Sequence, residues 1–360
     1  MKLRFFLYFL LLVYANSLIA IECATDKPLK VFTPQYAKHF SIEYFLNFKI
    51  LNVDGERYLL KGKKNENHCH SALPQVMTPV SRVVLMSTTY LHTLELLKQE
   101  KTLIGFQGKE YVVSPVFNLS EIREVSFKFN TEELLGLKAD LIMGYESNLV
   151  GKNQKELFHS LGIPVVLNKD FEEGSSLGRA EWMIFNASFY DKEDEAKRLF
   201  YSIQKKYNEL KEKNKLEKNK AKIIVGEIQN GFWVTCGEKS DLGQLIKDAG
   251  GELSLSRASS STQNMSLEIL SQNKTEFDVW LTHNNWLNQV DKEAIFTKDK
   301  RYKLIKAKNI FNNNLLMNKS HYSDFWESGM QRPDLLLLEL SALFHPESYK
   351  NHQFRWYRQL

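Results

Sequence analysis

The sequence predicts an α/β chain of two lobes, each built on a parallel sheet, bridged by one long α-helix. Three observations predict it. Strand-like and helix-like segments alternate through both halves, the pattern of βαβ units. A stretch from Asp191 to Asn214 holds neither glycine nor proline and carries Ala196, Leu199, Phe200, Ile203, Tyr207 and Leu210 at helical spacing. One unit also recurs in each half. Phe129–Leu135 leads through Lys138 to the apolar run Asp140–Tyr145, and Met265–Leu270 leads through Lys274 to Phe277–His283. Each reads as a polar N-cap (Asn130, Ser266), a short helix with an early exposed glutamate (Glu132, Glu268), and a buried strand. Paired acids at matching places on twin lobes suit docking onto a symmetric partner better than they suit catalysis.

The elements follow in order. Residues 30 to 62 read as a β-meander: Phe40–Phe45 and Phe48–Val53, the hairpin turn Asp54-Gly55, then Arg57–Leu60. Lys61–Ser71 is polar and reads as a loop. Arg82–Met86 is a continuous apolar run of the kind buried on both faces of a parallel sheet; it empties into Ser87-Thr88-Thr89-Tyr90 before a helix over Leu91–Leu97. Thr102–Phe106 is a strand, the Glu132 unit follows, then a helix over Lys155–Leu161, and Gly162-Ile163-Pro164 turns the chain into Val165–Leu167. The helix from Asp191 is a rod of about 35 Å, with acids at its start and lysines at its end as the helix dipole favours. Past it come the strand Lys222–Gly226, Phe232–Thr235, a helix over Asp241–Ala249, and the Glu268 unit with its strand Asp278–Leu281. Lys308–Phe311 and a last helix over Arg332–Phe344 complete the chain. The expected organisation is a first lobe over 28–190, a bridging helix over 191–216 and a second lobe over 220–360.

Composition bounds the function. A chain of 360 residues exceeds one comfortable core, so two domains are expected. The 43% hydrophobic and 25% charged residues describe a globular protein and exclude a disordered or membrane-embedded one. The 23 Phe, 15 Tyr and 6 Trp are enough to line a ligand cleft as well as to fill two cores. Residues 1–20 read as a signal peptide: Lys2 and Arg4, the apolar run Phe5–Val13, then the small residues Ala15, Ser17 and Ala20. A formal charge of +5, less the two leader cations, is too little to argue for nucleic acid. Cys23 stands where a lipid-anchored cysteine would sit, although Glu22 before it favours plain cleavage. Cys69 and Cys236 form an even pair for an oxidising compartment, bridged or free.

Familiar catalytic signatures are missing: the sequence has no G-x-G-x-x-G, Walker loop, G-x-S-x-G elbow or H-E-x-x-H. The lobes are Rossmann-like in pattern, yet no glycine-rich phosphate cradle follows Met86 or Val225, which weakens any nucleotide-dependent reading. His68-Cys69-His70 offers neighbouring metal ligands without an evident fourth, and His283 and His321 are scattered, so neither a metal site nor a resident cofactor is expected.

The chain resembles periplasmic substrate-binding proteins of the iron-siderophore, haem and cobalamin ABC importers. Arg82–Thr89 is similar to that family's first core strand. Leu137–Ile142 is similar to its LKPDLV element, with Ala139 in place of the proline. Leu161–Leu167, Gln244–Gly251, Trp326–Gly329 and Arg332–Leu335 also match. The resemblance implies a ligand held between the lobes and a glutamate on each lobe, here Glu132 and Glu268, pairing with arginines of a dimeric permease. It also implies a monomeric carrier. The strand-end rule for α/β sheets nominates Thr88, Thr89, Tyr90 and Tyr145 on the first lobe. On the second it nominates Phe232, Trp233, Trp286, Asn313 in the Asn312–Asn314 run, Tyr322 and Trp326, with Arg179 as counter-ion for an anionic ligand. The competing reading is an exported two-lobe enzyme of chelatase-like or transferase type, with Glu181, Glu327 or His321 as acid–base groups.

Overall fold

The computed structural model describes residues 27–62, 70, 72–126, 131–145, 152–273, 275–283 and 286–360. The expected leader, Cys23, His68, Cys69 and the Asn130 cap lie outside the described residues. The N-terminal sheet runs in sequence order: β1 (Lys30–Phe32), β2 (Phe40–Tyr44), β3 (Phe48–Val53) and β4 (Glu56–Gly62) antiparallel, then β5 (Gln75–Thr78) parallel to β4. Asp54 and Gly55 both take positive φ (48° and 88°), the requirement of a two-residue hairpin loop whose twist matches its strands.

The first lobe contains β6 (Val83–Leu85), α1 (Leu91–Leu96), β7 (Leu103–Gln107), β8 (Arg123–Val125), α2 (Thr131–Gly136), β9 (Leu141–Gly144), α3 (Lys152–Ser160), β10 (Val165–Leu167) and α4 (Ser176–Ser188). Its sheet is wholly parallel, in the order β10-β9-β6-β7-β8. The bridging helix α5 spans Glu193–Asn214. The second lobe follows with β11 (Ala221–Val225), β12 (Glu227–Gln229), β13 (Phe232–Thr235), α6 (Asp241–Asp248), β14 (Gly251–Ser254), β15 (Gln263–Ser266), α7 (Glu268–Gln272) and β16 (Phe277–Thr282). It ends with α8 (Gln289–Lys298), β17 (Ala307–Asn312), α9 (Pro333–Phe344) and β18 (Arg358–Gln359). Its main sheet is ordered β14-β11-β16-β17-β18, parallel except for the β18 edge, and β12-β13-β15 form a small antiparallel sheet beside it. In each lobe the first strand is flanked by the next core strand on one side and by the glutamate-bearing unit's strand on the other. So α2–β9 and α7–β16 occupy the same place in two similarly wired sheets. Among the described residues no helix is long and apolar enough to cross a membrane.

The long helix is unbroken and begins two residues after Asp191, which sits at φ 55°. Glu193, Asp194 and Glu195 fill its first turn and Lys211 and Lys213 its last, complementing the dipole at both ends. Its N-terminal end is held by Lys49, whose Nζ donates to the Ser188 carbonyl (2.9 Å), Asp191 (2.7 Å) and Glu193 (2.7 Å). The C-terminal end is held by the second lobe. Tyr207 donates to Asp248 Oδ2 (2.7 Å), and the Asn214 amide donates to the Asp248 carbonyl (3.0 Å) and Ser341 Oγ (2.8 Å). Between these anchors Ala196, Phe200, Ile203 and Tyr207 enter one apolar core that also takes in Trp182 and Phe185 of α4, Ile223 and Leu281 of the second sheet, and Leu336 and Leu340 of α9.

Glu181 corrects an expectation. Rather than facing the cleft as an acid–base group, it is 1% exposed and accepts backbone N–H groups from Gln35 (2.9 Å), Tyr36 (2.8 Å) and Ala37 (2.9 Å). Beside it Glu173 accepts from the Lys38 N–H (2.9 Å) and the Trp182 indole (2.9 Å). The segment between β1 and β2 presents successive N–H groups with no strand opposite, and buried carboxylates satisfy them. Glu181→Ala is expected to lower the unfolding free energy by about 3 kcal/mol, because buried donors lose a charged acceptor. Urea denaturation measures this, and a loss below about 1 kcal/mol would show that residues 35–37 are held by something else.

Candidate ligand cleft between the lobes

The site forms where strands of the parallel sheets run out. After β6 the chain turns through Ser87, whose Oγ accepts the Thr89 N–H (3.4 Å) and starts a 3₁₀ turn over Thr88–Tyr90. The ends of β7 and β9 supply Gln107 and Tyr145. With Tyr111 of the first lobe, and Tyr322, Ser323 and Trp326 of the second, they line a cavity of about 280 Å³. The Tyr111 and Tyr322 rings meet edge-on at 4.4 Å, and the Thr88 hydroxyl donates to the Trp326 carbonyl (3.4 Å), so both lobes close this compartment. Trp326, 45% exposed, also borders a larger cavity of about 760 Å³. Phe171–Gly174 and Arg179 line it from the first lobe. Opposite stand the ends of β11 and β13, the start of α6 at Ser240–Leu242, residues 260–262, His283 and Phe325.

The chemistry of the larger compartment is set by burial and by one ion pair. Arg179 of α4 donates from Nη1 to Asp241 Oδ2 of α6 (2.9 Å), linking the two lobes. Burial opposes the Arg179 charge, but Asp170 and Asp241 outweigh it and raise the guanidinium above its ordinary range. Asp170 is buried and its carboxyl is pushed up by desolvation, against the pull of Arg179 and the Thr89 hydroxyl. The His283 ring packs on Phe325 (5.8 Å) and edge-on to Trp326 (5.4 Å); burial drives it down to about 4, leaving it neutral at physiological pH. Cys236 is a free thiol in the lining, pushed up to about 11 by burial and therefore not a ready nucleophile.

Of the residues nominated from sequence, Thr88, Tyr145, Tyr322 and Trp326 meet in the smaller compartment, and Arg179 joins Trp326 in the larger. Thr89 serves Asp170 instead of either cavity. The remaining nominations are corrected. Tyr90, the last residue of the 3₁₀ turn, is 1% exposed and packs in the main core. On β13, Trp233 is buried against Trp280 (6.0 Å) and Phe232 is exposed, while Val234 and Thr235 at the far end of the strand line the cleft instead. Trp286 is buried among Trp280, Phe296 and Tyr302. Asn313 is also buried, and its neighbours Asn312 and Asn314 both donate to the Trp286 carbonyl (3.0 and 2.9 Å). The asparagine run thus satisfies buried backbone.

Glu327 is likewise no cleft acid. It is 1% exposed and accepts the N–H groups of Val113 (2.7 Å) and Ser114 (3.0 Å). The Asn318 amide donates to the Glu110 (2.7 Å) and Val112 (2.9 Å) carbonyls nearby. Together they fasten the second lobe's segment 318–327 onto the first lobe at the cleft rim. His321 is an exposed turn residue at φ 65°. Glu132 and Glu268 are exposed, each in the first turn of its short helix, and Ser266 Oγ accepts the Glu268 N–H (3.3 Å). Lining residues not nominated include Gln107, Tyr111, Phe171, Glu227 and Asp241. Gln107 ends β7 and Tyr111 follows it, where the strand-end rule already applied to β6 and β9 would have found them.

The family model for periplasmic binding proteins matches residues 83–309, more than half of the chain. An uncharacterised lipoprotein of Methanocaldococcus jannaschii is 24% identical over 339 residues, covering 85% of this chain and 77% of that one. Among solved structures, a periplasmic solute-binding protein of Veillonella parvula is similar at TM-score 0.58 and 18% identity, over 77% of this chain and 84% of its own. A periplasmic haem-binding protein of Vibrio cholerae is similar at TM-score 0.54 and 16% identity, over 71% of this chain and 99% of its own. These likenesses show the fold.

Glu327 gives the site a pH signature. Burial, with Asp324 and Glu95 adding to it, pushes its carboxyl up to about 7 from an ordinary 4.5, against the two backbone N–H groups. The folded state therefore keeps a proton that the unfolded chain releases between pH 4.5 and about 7, so this contribution to stability falls as pH rises through that window. Glu327→Gln is expected to flatten the fall. Urea midpoints compared at the two edges of the window check it, and an unchanged slope would remove Glu327 as its source.

Proposed function

The chain belongs to the periplasmic binding protein family, and we propose that it captures an iron-siderophore, haem or cobalamin-type ligand between its lobes outside the cytoplasm and delivers it to an ABC transporter permease. The observation that carries the reading is the two-compartment cleft: it opens at the strand ends of both sheets and is walled by Tyr145, Tyr322, Trp326 and Phe171. Aromatic faces with a few hydroxyls and amides suit a broad, partly apolar guest. The haem-binding character of one structural relative supports the same ligand class.

Capture and hand-over constitute the mechanism. The unbroken α5 keeps lobe motion small, the guest sits against Trp326, and Glu132 and Glu268 meet the two permease subunits. The matched places of α2–β9 and α7–β16 support this docking role, since an exposed carboxylate at the same place on each lobe fits arginines repeated by a dimer. The importer spends the ATP; the carrier acts as a monomer without turnover.

Titrating the purified chain with haem, a corrinoid and ferric siderophores tests the reading, with absorbance and native mass spectrometry as readouts. Trp326→Ala is expected to weaken the bound chelate by roughly tenfold, the scale of one lost aromatic platform. Glu132→Ala with Glu268→Ala is expected to keep ligand affinity and abolish transport in a strain that depends on this carrier. Failure to bind any metal chelate, or transport that survives the double substitution, would sink the respective half of the proposal.

A further inference from the structure

We propose that the cleft takes a neutral or cationic metal chelate and turns away anionic ones, with Asp241 setting that choice by occupying Arg179. The inference rests on the carrier reading above and narrows its ligand class. It reverses the expectation that Arg179 serves an anionic ligand.

Among the described residues, Arg179 is the one lysine or arginine bordering either compartment. Its guanidinium is already engaged by Asp241 at 2.9 Å and faces the buried Asp170 as well. The Asp241 carboxylate therefore offsets the cation that a guest would otherwise meet, and the buried Asp170 carboxyl, pushed up by desolvation, lies beside it. Glu172 and Glu227 add further acid to the same lining. Glu172 is offset by Lys169 at 3.6 Å, while burial pushes the Glu227 carboxyl up against the pull of the Gln229 amide. Glu173 is held by backbone and indole donors. The smaller compartment is lined by side chains without formal charge, chiefly hydroxyls, the Gln107 amide and aromatic rings.

An anionic guest entering this cleft has two courses. It can lie beside the acids and be repelled, or displace Asp241 and leave that carboxylate unpaired. The second course also breaks an ion pair that joins the lobes. A neutral, amide-rich chelate avoids both costs. A cationic chelate is attracted to the acidic lining and gains from the Trp326 and Phe171 ring faces. The discrimination thus comes from a penalty built against the wrong charge as much as from contacts to the right one.

Calorimetric titration of the full chain with four chelates of similar bulk tests the proposal: an amine-bearing ferric trihydroxamate (cationic), cyanocobalamin (neutral), haemin and a ferric tris-catecholate (both anionic). At least one of the first two is expected to bind roughly tenfold or more tighter than either anion. Asp241→Asn, which frees Arg179, is expected to improve anion affinity by about tenfold relative to the cationic or neutral chelate. Tighter binding of an anion to the unaltered chain would overturn the charge assignment while leaving the carrier reading in place. Binding of none of the four would overturn the carrier reading and this inference together. An unaltered preference in Asp241→Asn would remove Asp241 as the determinant.

Discussion

One apolar core runs from the N-terminal sheet through both lobes. It starts under the N-terminal sheet at Phe40 and Ile42, passes through Trp182 and Phe185 of α4 and Phe200 of α5, and ends among Ile223, Leu281 and Leu340 beyond the lobe boundary. Each large side chain buried there contributes on the order of 1.5–3 kcal/mol. Separating the lobes as independent bodies would therefore expose a shared core. Whatever motion accompanies binding has to occur at the cleft rim, where contacts are polar, and not along this layer.

Buried carboxylates complete what the apolar layer begins. Glu181 and Glu173 fasten the N-terminal sheet to α4, Asp248 receives Tyr207 from the bridging helix, and Glu327 spans the rim. Three of these four acids are held by backbone N–H groups and the fourth by a tyrosine hydroxyl. Removing one of them leaves donors unmet in a dry setting, which is why such positions act as fasteners rather than as reactive groups.

Much of this architecture was legible in the sequence. Val83–Leu85 and Val165–Val166 are buried on both faces, so they appear as unbroken apolar runs, and the amphipathic stripe of α5 has its period written in Ala196, Phe200, Ile203 and Tyr207. Helix α4 was not legible, because it is buried almost all round and so shows no stripe. The strands β12 and β15 are too short and polar to stand out. The cleft was half legible. Strand ends locate it, but the face of β13 that Trp233 takes depends on a neighbouring sheet that sequence does not display. The same limit hid the acids: nothing near Glu181 announces that Tyr36, 145 positions away, supplies its partner, or near Glu327 that Val113 does so across 214.

Trp326 stands at the junction of the two compartments and borders both. A small guest can occupy one chamber and leave the indole's far side wet. A guest long enough to reach both would pass this residue, so its two ends would meet a single partition. Under the carrier role proposed above, that shared wall would make the length of a guest, alongside its charge, matter at a single residue.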